Sequence, residues 1–583
     1  MKRFFILYLF VFSLVTVQAQ ELREIEGKIL DIETSEPIPY ANIFNKTLKK
    51  GTISNADGYF RVSIPESTDS LFVIFIGYQT QLVMLQPEQN FYTIYLRQNS
   101  QLLKEIVVTP RDNSYLLDLL MRCKKQPSSF KTKAKGYLEL KTFGDHQQME
   151  LLEGYFNIGI LGYDITDLTL KAGRLALHPF EDWFFVSLES SKAITRIKTW
   201  AINPSFPYSP LSLPKDVTRK YYDLSLDKKY LDDASDSIYV INYEPVDTSG
   251  RFFGGQIWVN KTDRTIIKIS LNCPHARVHP FLPLFESDSI LNVSFMITRT
   301  FTPQKDQIAF NHIDFIYIVD YKSRVGDVNE KSYSVRTEAI LYAYDYDNPF
   351  FLPLSNLTDS TFSDYRRINA MPYNDFFWQY NDEYSLHQNN NENDLFYNDP
   401  YSITNKTLFK ANLGIRKGLF EQPFVLWSED RVFFRDISPD TIVDPEETVV
   451  NADNYNLDVR YFVDINTYRD STNILTGILF DPYKSFYHLP MDNKTHCFIN
   501  IFFDLCEIER RKLYEEMMKI SHDQNQYKEA YQAFVKRTDR GRFQYLKSVD
   551  RGLNQEEMIK WNDIVFRELG INNIGIFNPY TQE

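Results

Sequence analysis

Cysteine and glycine are scarce in this sequence, which has 4 Cys and 21 Gly among 583 residues. Cys123, Cys273, Cys497 and Cys506 form no C-x-x-C or zinc-ribbon spacing, which argues against a cysteine-based metal site. Cys497 and Cys506 fall on one predicted helix, about 13 Å apart along its axis, which is too far for a disulfide between them. We expect buried free thiols; disulfides between other pairs stay open.

The sequence has no phosphate-binding loop, no G-x-S-x-G turn and no dinucleotide-binding fingerprint. It also has no excess of positive charge, since its formal net charge is −13. Proteins that bind nucleic acid present a basic surface, so this charge argues against nucleic acid as a partner. We assign no catalytic, cofactor-binding or metal-binding residue from the sequence.

Long apolar runs are absent except at the N-terminus. Lys2 and Arg3 precede an almost unbroken apolar run from Phe4 to Val17, and Val17-Gln18-Ala19 matches the small-residue pattern of a signal-peptidase site. The run is shorter than the roughly 20 residues that a transmembrane helix needs. We therefore predict a signal peptide over residues 1–19 and an exported chain with no transmembrane helix after cleavage. A retained membrane anchor is the alternative.

The sequence is rich in aromatic residues, with 38 Tyr and 45 Phe. Its length predicts roughly three or four domains. We expect a multidomain, mainly β protein with an α+β C-terminal region. The predicted plan is a β-sandwich over 22–98, a linker and short helix over 99–130, an antiparallel β-rich domain over 131–350, a linker over 351–404 and an α+β domain over 405–583.

Short strands separated by turns occupy the region from Ile25 to Leu96, and about seven strands over this length predict a transthyretin-like sandwich. The run from Leu71 to Ile76 is apolar throughout, which predicts a central strand covered on both faces. Asp57-Gly58 predicts a tight turn rather than a calcium loop, because the spaced acidic ligands of a calcium loop are missing.

This region resembles the carboxypeptidase-regulatory-like domain, a module without peptidase chemistry of its own. The resemblance rests on Gly27, Glu36 to Ile43, Gly51-Thr52, Asp57 to Phe60 and Phe75-Ile76-Gly77-Tyr78. Such domains stand at the front of TonB-dependent receptors and related outer-membrane proteins of Gram-negative bacteria. Leu103 to Thr109 is similar to the connector that follows them there. The chain length and the polar ending Asn578 to Glu583 lead us to expect no receptor plug or barrel.

Alternating strands dominate the middle region from Gly136 to Tyr344. Gln256 to Val259 and Thr265 to Leu271 form the clearest predicted hairpin, with Ile267, Ile269 and Leu271 on one face and Lys268 and Ser270 on the other. This unit resembles the repeat of half-barrel lipoprotein carriers, but a generic antiparallel sheet is the better interpretation. Asn, Asp and Glu dominate Tyr380 to Pro400, which predicts a linker.

A second resemblance concerns a helix predicted within Leu475 to Met518. Its apolar stripe is Phe498, Ile501, Phe502, Leu505, Ile508, Leu513 and Met517. Phe503-Asp504-Leu505, Glu507-Ile508 and Arg511-Lys512-Leu513 resemble the motif helix of a family of zinc-dependent bacterial envelope proteases, and Leu479 to Phe486 resembles the strand before it.

The chemistry of that family is missing from this sequence. Phe498 and Phe502 occupy the positions of the two zinc-binding histidines, and Ile499 occupies the position of the general-base glutamate. These side chains cannot bind zinc or accept a proton from water, and His496 is off the required face. We interpret the region as a degenerate, structurally retained protease-like domain. An unrelated amphipathic helix is the alternative.

His275 and His279 have the spacing of a helical metal clamp, but Pro274 and Pro280 predict an extended loop instead. We therefore expect no cofactor. The favoured function is that of an exported cell-envelope structural or interaction protein without an evident catalytic site, whose partner is an envelope protein or a glycan. One alternative is a hydrolase of peptides or cell-wall polymers whose site is not visible in the sequence. The other is a carbohydrate-binding protein, prompted by the many aromatic residues. Stacking platforms need exposed rings, so exposure of Trp183, Trp200 and Trp258 would distinguish them from ordinary buried aromatics.

Overall fold

The computed structural model describes residues 22–45, 50–55, 57–99, 114–124, 130–178, 190–231, 236–283, 286–304, 307–325, 329–355, 364–369, 371–381, 390–405, 425–432, 455–468, 471–481, 485–487, 492–521 and 523–580. The predicted signal peptide and the connector at 103–109 lie outside the described residues. Among the described helices, none combines the length and the hydropathy that crossing a membrane requires.

Residues 22–99 are called the N-terminal unit below. The residues of this unit that the structure describes form seven strands in two sheets, ordered β4-β1-β7 and β3-β2-β5-β6. The strands are β1 (Leu22–Asp31), β2 (Asn42–Asn45), β3 (Lys50–Ile53), β4 (Tyr59–Pro65), β5 (Ser70–Ile74), β6 (Gln81–Met84) and β7 (Phe91–Leu96). Alternate residues of these strands, including Ile29, Ile43, Val73 and Ile94, form one apolar core. These residues point inward, as every second residue of a β-strand does when one face of the sheet is buried.

Two local expectations for this unit have different outcomes. The tight turn is confirmed: Gly58 has φ +72°, and the Asn55 side chain accepts hydrogen bonds from the backbone N–H of Asp57 and of Tyr59. The prediction of a central strand covered on both faces is wrong, because β5 ends at Ile74 and buries only alternate residues. Its other face is half-exposed, and so are residues 75–78 that follow it.

The middle region forms an 11-stranded antiparallel sheet, as its alternation predicts. Its order is β11-β12-β13-β14-β15-β16-β17-β8-β9-β10-β19. The strands are β8 (Lys131–Gly144), β9 (Gln147–Leu161), β10 (Asp164–Leu177), β11 (Tyr222–Leu231), β12 (Ser237–Pro245), β13 (Gly254–Asn260), β14 (Thr265–Cys273), β15 (Ser289–Gln304), β16 (Gln307–Val325), β17 (Asn329–Tyr344) and β19 (Ile403–Thr404).

Within the described part of the chain, three short helices pack against one face of this sheet. They are α1 (Ser114–Lys124), which the sequence predicts, α2 (Ser190–Arg196) and α3 (Lys215–Tyr221). Leu116 and Leu120 of α1 and Ile194 of α2 lie in the same apolar core as Ile269, Ile297 and Phe315 of the sheet. The opposite face of the sheet receives the N-terminal unit and parts of the C-terminal half.

The predicted β13–β14 hairpin is present, but one of its residues faces the other way. Trp258 pairs with Lys268 and Val259 pairs with Ile266, so Ile267 is an extra residue in a β-bulge. Ile266 therefore takes the core position together with Ile269 and Leu271, while Ile267 packs on the opposite face. A bulge inserts one residue and shifts the inward set by one, which strict alternation cannot anticipate.

The described parts of 351–404 are packed, although their composition predicts a linker. They contain β18 (Leu354–Ser355), α4 (Asp364–Asn369), α5 (Asp375–Tyr380) and α6 (Asn390–Asn398). Their polar residues make specific contacts: Asn374 caps α5, and the buried Asn393 donates to Glu139 of the sheet. Asparagines that cap helices or donate to buried carboxylates raise the polar content of a segment. In the sequence alone, such a segment cannot be distinguished from a linker.

The C-terminal part combines a small sheet, β18-β22-β23-β20, with a helical bundle, and β21 pairs with β24. Its elements are β20 (Val425–Leu426), β21 (Tyr455–Asn456), β22 (Val459–Tyr468), β23 (Ser471–Phe480), β24 (Phe486–Tyr487), α7 (Asn493–Met517), α8 (Gln524–Val549), α9 (Gln555–Leu569) and α10 (Asn573–Phe577). The long helix α7 is the predicted amphipathic helix, and its apolar stripe lies in the core. The α+β character of the C-terminal part agrees with the expectation from the sequence. The domain boundaries remain predictions.

Candidate functional site

The positions that correspond to the zinc site of the protease family lie in the centre of the C-terminal core. Phe498, Ile499 and Phe502 are at most 1% exposed. The ring of Phe498 stacks on Tyr545 with 5.7 Å between centroids, and the guanidinium of Arg542 lies 4.9 Å from the Phe502 centroid. These contacts place Phe498 and Phe502 in the packing between α7 and α8, and Ile499 lies in the same apolar core. The resemblance to the protease family itself stays a prediction.

Asp504, a residue of the resembling motif, is a buried structural anchor. Its carboxylate accepts hydrogen bonds from Trp427 Nε1 at 2.8 Å and Asn573 Nδ2 at 2.7 Å, and it pairs with Arg431 at 2.9 Å. Burial raises the pKa of Asp504, while Arg431 and the two donors oppose that rise. The group joins α7 to α10 and to the segment after β20.

The other candidate residues of the sequence lie in a loop or in the apolar cores. His275 and His279 lie in a loop, as their flanking prolines predict. All four cysteines are buried and free. Within the described part of the chain, no group of three or more His, Cys, Asp or Glu side chains is arranged to hold a metal ion.

The tryptophans singled out as sugar platforms are not exposed where the structure describes them. Trp200 is half-buried and meets the ring of Tyr163 edge-on, with centroids 5.5 Å apart. Trp258 is half-buried beneath the ammonium of Lys268. Trp183 lies outside the described residues. Neither described indole can serve as an open stacking surface.

A cleft of about 980 Å³ lies between the N-terminal unit and the middle sheet. One wall comes from the N-terminal unit and includes Tyr40 and residues 74–78. The other wall is the sheet face opposite the main core, where β14, β15 and β16 contribute Lys268, Thr298, Thr300, Thr302, Asn311, His312 and Asp314. A Cβ placed at Gly77 would lie 3.9 Å from the Tyr230 hydroxyl, so the walls nearly meet there.

A rigid turn in the N-terminal unit presents Tyr40 to the sheet. Tyr40 has φ +60°, an uncommon backbone conformation for a non-glycine residue. The buried Ser54 holds it: its carbonyl accepts from Tyr40 N, its hydroxyl accepts from Ala41 N and donates to the Ile38 carbonyl. The segment Glu36 to Ile43, which carried the family resemblance, therefore aims an aromatic ring at the cleft.

On the sheet wall, pairing places the polar residues in two rows across three strands. Lys268, Thr300 and His312 are register partners on β14, β15 and β16. Thr298 and Asp314 are partners in the next row. Since side chains that are two residues apart along a strand share a face, all five residues face the cleft together.

A second bulge enlarges this polar wall. Thr300 pairs with His312 and Phe301 pairs with Phe310, so Asn311 is the extra residue on β16. Asn311 and His312 consequently both line the cleft, and Asn311 donates to the Thr300 hydroxyl at 3.2 Å. Bulges of this kind often redirect side chains beside functional sites.

His312 is the most unusual group in the cleft. It is 1% exposed, and neither ring nitrogen has a hydrogen-bond partner among the residues that the structure describes. Burial, together with the charge of Lys268, lowers the pKa of His312 to about 3, so its ring is neutral at physiological pH. A neutral imidazole offers one donor and one acceptor. Buried polar groups without partners are rare in folded proteins.

The cleft lining includes one ammonium, that of Lys268, and two carboxylates, those of Asp263 and Asp314. The ammonium of Lys268 lies 4.6 Å from the Trp258 ring centroid, and burial lowers its pKa. Burial and the nearby Glu338 raise the pKa of Asp314 to about 6, with Lys268 and Arg336 opposing. The cleft is therefore a polar, weakly charged cavity that can make directed hydrogen bonds.

Comparisons with known proteins support the expectation for the N-terminal unit. Residues 25–108 match the CarboxypepD_reg-like domain family. The TonB-dependent receptor SusC of Bacteroides thetaiotaomicron is 33% identical over 98 residues, which are 17% of this chain and 9% of the receptor. The chain thus spans only a small part of that curated relative, and the match concerns one domain.

Two solved structures also show similarity to this chain. An outer membrane lipoprotein-sorting protein domain from Vibrio parahaemolyticus is 14% identical, and the match covers 40% of this chain and 90% of that one with a TM-score of 0.17. A LolA superfamily protein from Nitrosomonas europaea is 14% identical, with coverage of 39% and 91% and a TM-score of 0.16. TM-scores this low do not establish a shared fold.

Proposed function

We propose that this chain is an exported, cell-envelope-associated binding protein without catalytic activity, in which the N-terminal unit covers a ligand site on the middle sheet. The observation that carries the proposal is the unpartnered, fully buried His312 in a cleft of about 980 Å³. A cavity of this volume is within the range of small-molecule sites. A donor and an acceptor left without partners inside it are explained by a ligand that supplies the missing hydrogen bonds.

Two features support the envelope location. The first residues have the charge, apolar run and cleavage pattern of a signal peptide. The N-terminal unit is similar to a domain of the TonB-dependent receptor SusC. In this proposal the N-terminal unit acts as one wall of a binding site, through Tyr40 and residues 74–78.

The absence of catalysis is part of the proposal. Aromatic and aliphatic packing occupies the positions where the resembling protease family has its zinc ligands and base. In the cleft, the hydroxyls of Thr298 and Thr300 and the amide of Asn311 provide hydrogen bonds, which suit recognition. A binding protein needs no further group.

Native mass spectrometry of the mature chain tests this proposal. The chain is incubated with the soluble contents of the envelope of its own cells, and bound mass is recorded immediately and again after a day. We expect a bound species that is released with unchanged mass. The variant Thr298→Trp, which places an indole in the cleft, should lose it, while Thr169→Trp, at an exposed position of β10, should keep it.

Three results would overturn the proposal: no bound species, equal binding by Thr298→Trp, or a bound species that the chain converts to smaller products. Cell fractionation tests the location. We expect the chain in the envelope fraction with residues 1–19 removed. An uncleaved chain in the cytosol would contradict the proposed location.

A further inference from the structure

We infer that the cleft between the N-terminal unit and the middle sheet binds an uncharged, polyhydroxylated ligand, namely a neutral oligosaccharide. This inference rests on the proposed binding function and names the ligand class. It depends on the different chemistry of the two walls, on the small number of charged groups in the cleft and on the strand topology beneath the site.

The sheet wall carries a row of hydroxyl and amide groups. Thr298, Thr300 and Thr302 follow one another at every second position of β15, and Asn311 stands beside them. Each hydroxyl can both donate and accept a hydrogen bond, and each amide has two donors and an acceptor. The hydroxyl groups of a sugar have the same dual capacity. Such a wall therefore suits a ligand whose rim carries many hydroxyls.

The facing wall is apolar and aromatic. Ile74, Phe75 and Ile76 are half-exposed in the cleft, and the Phe75 and Tyr78 rings lie 5.5 Å apart. A pyranose ring has C–H groups on its faces and hydroxyls around its edge, so it can place a face against this wall and its edge against the threonines. Aromatic side chains supply such apolar contact at low entropic cost.

His312 and Tyr40 complete the polar side. The neutral ring of His312 offers one donor and one acceptor that lack partners among the described residues. Burial raises the pKa of the Tyr40 hydroxyl, so it stays protonated and can act as a donor. A ligand hydroxyl can donate to one group and accept from another in the same place, whereas a carboxylate only accepts and an ammonium only donates.

Other ligand classes fit less well. An anion would meet one ammonium, Lys268, against the carboxylates of Asp263 and Asp314. An acyl chain could form no hydrogen bond with the threonine, asparagine and histidine groups that line the cleft, and burying polar groups without such bonds is costly. An extended peptide gains affinity by pairing with a free strand edge, but β14, β15 and β16 each pair with neighbours on both sides.

Isothermal titration calorimetry of the full mature chain tests this inference. The probes are neutral hexasaccharides of glucose, mannose, galactose and xylose in α and β linkages, an acidic hexagalacturonate, a hexapeptide and a short-chain phospholipid. We expect binding to a neutral hexasaccharide. Thr298→Val removes one hydroxyl while keeping the shape and should weaken that binding by about tenfold, the effect of one lost hydrogen bond. Thr169→Val, on the exposed face of β10, should leave it unchanged.

Circular dichroism of each variant confirms that the chain is folded before titration. Binding of only the acidic sugar, the peptide or the lipid would overturn the inference, as would no binding to any neutral sugar or equal binding by Thr298→Val. In those cases a bound species in native mass spectrometry that Thr298→Trp abolishes would leave the proposed binding function standing. If native mass spectrometry also shows no bound species, both the proposed binding function and the oligosaccharide inference are wrong.

Discussion

The imidazole of His312 stacks on the ring of Tyr40 with 4.3 Å between ring centroids and 30° between planes. His312 belongs to an interior strand of the middle sheet and Tyr40 to a turn of the N-terminal unit, so the stack joins two parts of the protein that are far apart in sequence. Both residues line the cleft, and the ring nitrogens of the buried histidine have no partner among the described residues. The stack therefore relates the family resemblance of the N-terminal unit to the candidate site.

Replacing His312 with phenylalanine should stabilise the free protein and impair the binding site. The ring keeps its stacking on Tyr40, and two unsatisfied buried nitrogens are removed, which is worth about 1–3 kcal/mol in the free energy of unfolding. Urea denaturation at pH 7 measures the gain. His275→Phe, at an exposed position, is the control and should change little. A loss of stability in His312→Phe would mean that the imidazole is already satisfied.

The same variant should differ most from the parent in mild acid. The folded-state pKa of His312 is about 3, below its ordinary value of 6.5, so the unfolded chain binds more protons between these values. The parent therefore loses stability as pH falls from 6.5 toward 3, and His312→Phe lacks this loss. Denaturation curves at pH 7 and pH 4.5 should show a larger gap at pH 4.5. An equal gap at both would contradict the buried neutral ring.

Asp314 should have the opposite pH dependence. Its folded-state pKa of about 6 lies above its ordinary value of 3.8, so its contribution to stability is present below pH 3.8 and is lost as pH rises through 6. Asp314→Asn should therefore be more stable than the parent at pH 7.5, by about 3 kcal/mol. At pH 3.5 the two should match. Thermal melts across pH measure the difference in stability between Asp314→Asn and the parent. The midpoint of the change in this difference should fall between the two pKa values.

The central position of α7 in the C-terminal core predicts that restoring a metal-ligand residue is harmful. Phe502→His puts a polar ring next to Arg542 in the core and should cost about 3 kcal/mol or more of stability. Added zinc should not recover it. Phe543→His, at a site that is 66% exposed on α8, is the matched control and should be neutral. Zinc-dependent recovery of Phe502→His would indicate a metal site that retains its other ligands.

A buried ion pair joins the middle sheet to the C-terminal part. Lys171 Nζ lies 2.5 Å from Asp464 Oδ1, both side chains are 2% exposed, and Lys171 also donates to the Phe351 carbonyl. Lys171→Met leaves the carboxylate of Asp464 without its cation and should cost about 3–5 kcal/mol. The double variant Lys171→Met with Asp464→Leu should recover much of that loss in denaturant titrations. Additive losses would show that the two groups act independently.

Local periodicity predicted the elements of this fold where each pattern repeats without interruption. The stripe that includes Phe498, Ile501 and Phe502 predicted α7, and the alternation of the middle region predicted its antiparallel sheet. Ile267 was misplaced because a bulge shifts the inward set by one residue. The packed segment at 390–405 was missed because its Asn and Asp residues resemble a linker in composition.

The candidate site was largely invisible in the sequence. Tyr40 belonged to the resembling motif, but its partner His312 comes from a distant strand, and only folding brings them together. One local signal was available: the apolar alternation of Ile308 and Phe310 resumes at Ile313 and Phe315, with Asn311-His312 between. That interruption marks the bulge and with it two polar residues of the cleft.

The most direct test of the cleft as a sugar site is a crystal structure of the mature chain grown with the neutral hexasaccharide that binds best. The account predicts sugar density between residues 74–78 and β15, with a ligand hydroxyl within hydrogen-bond distance of a His312 ring nitrogen. An empty cleft at saturating sugar, or density at another surface while His312 stays unpartnered, would contradict it.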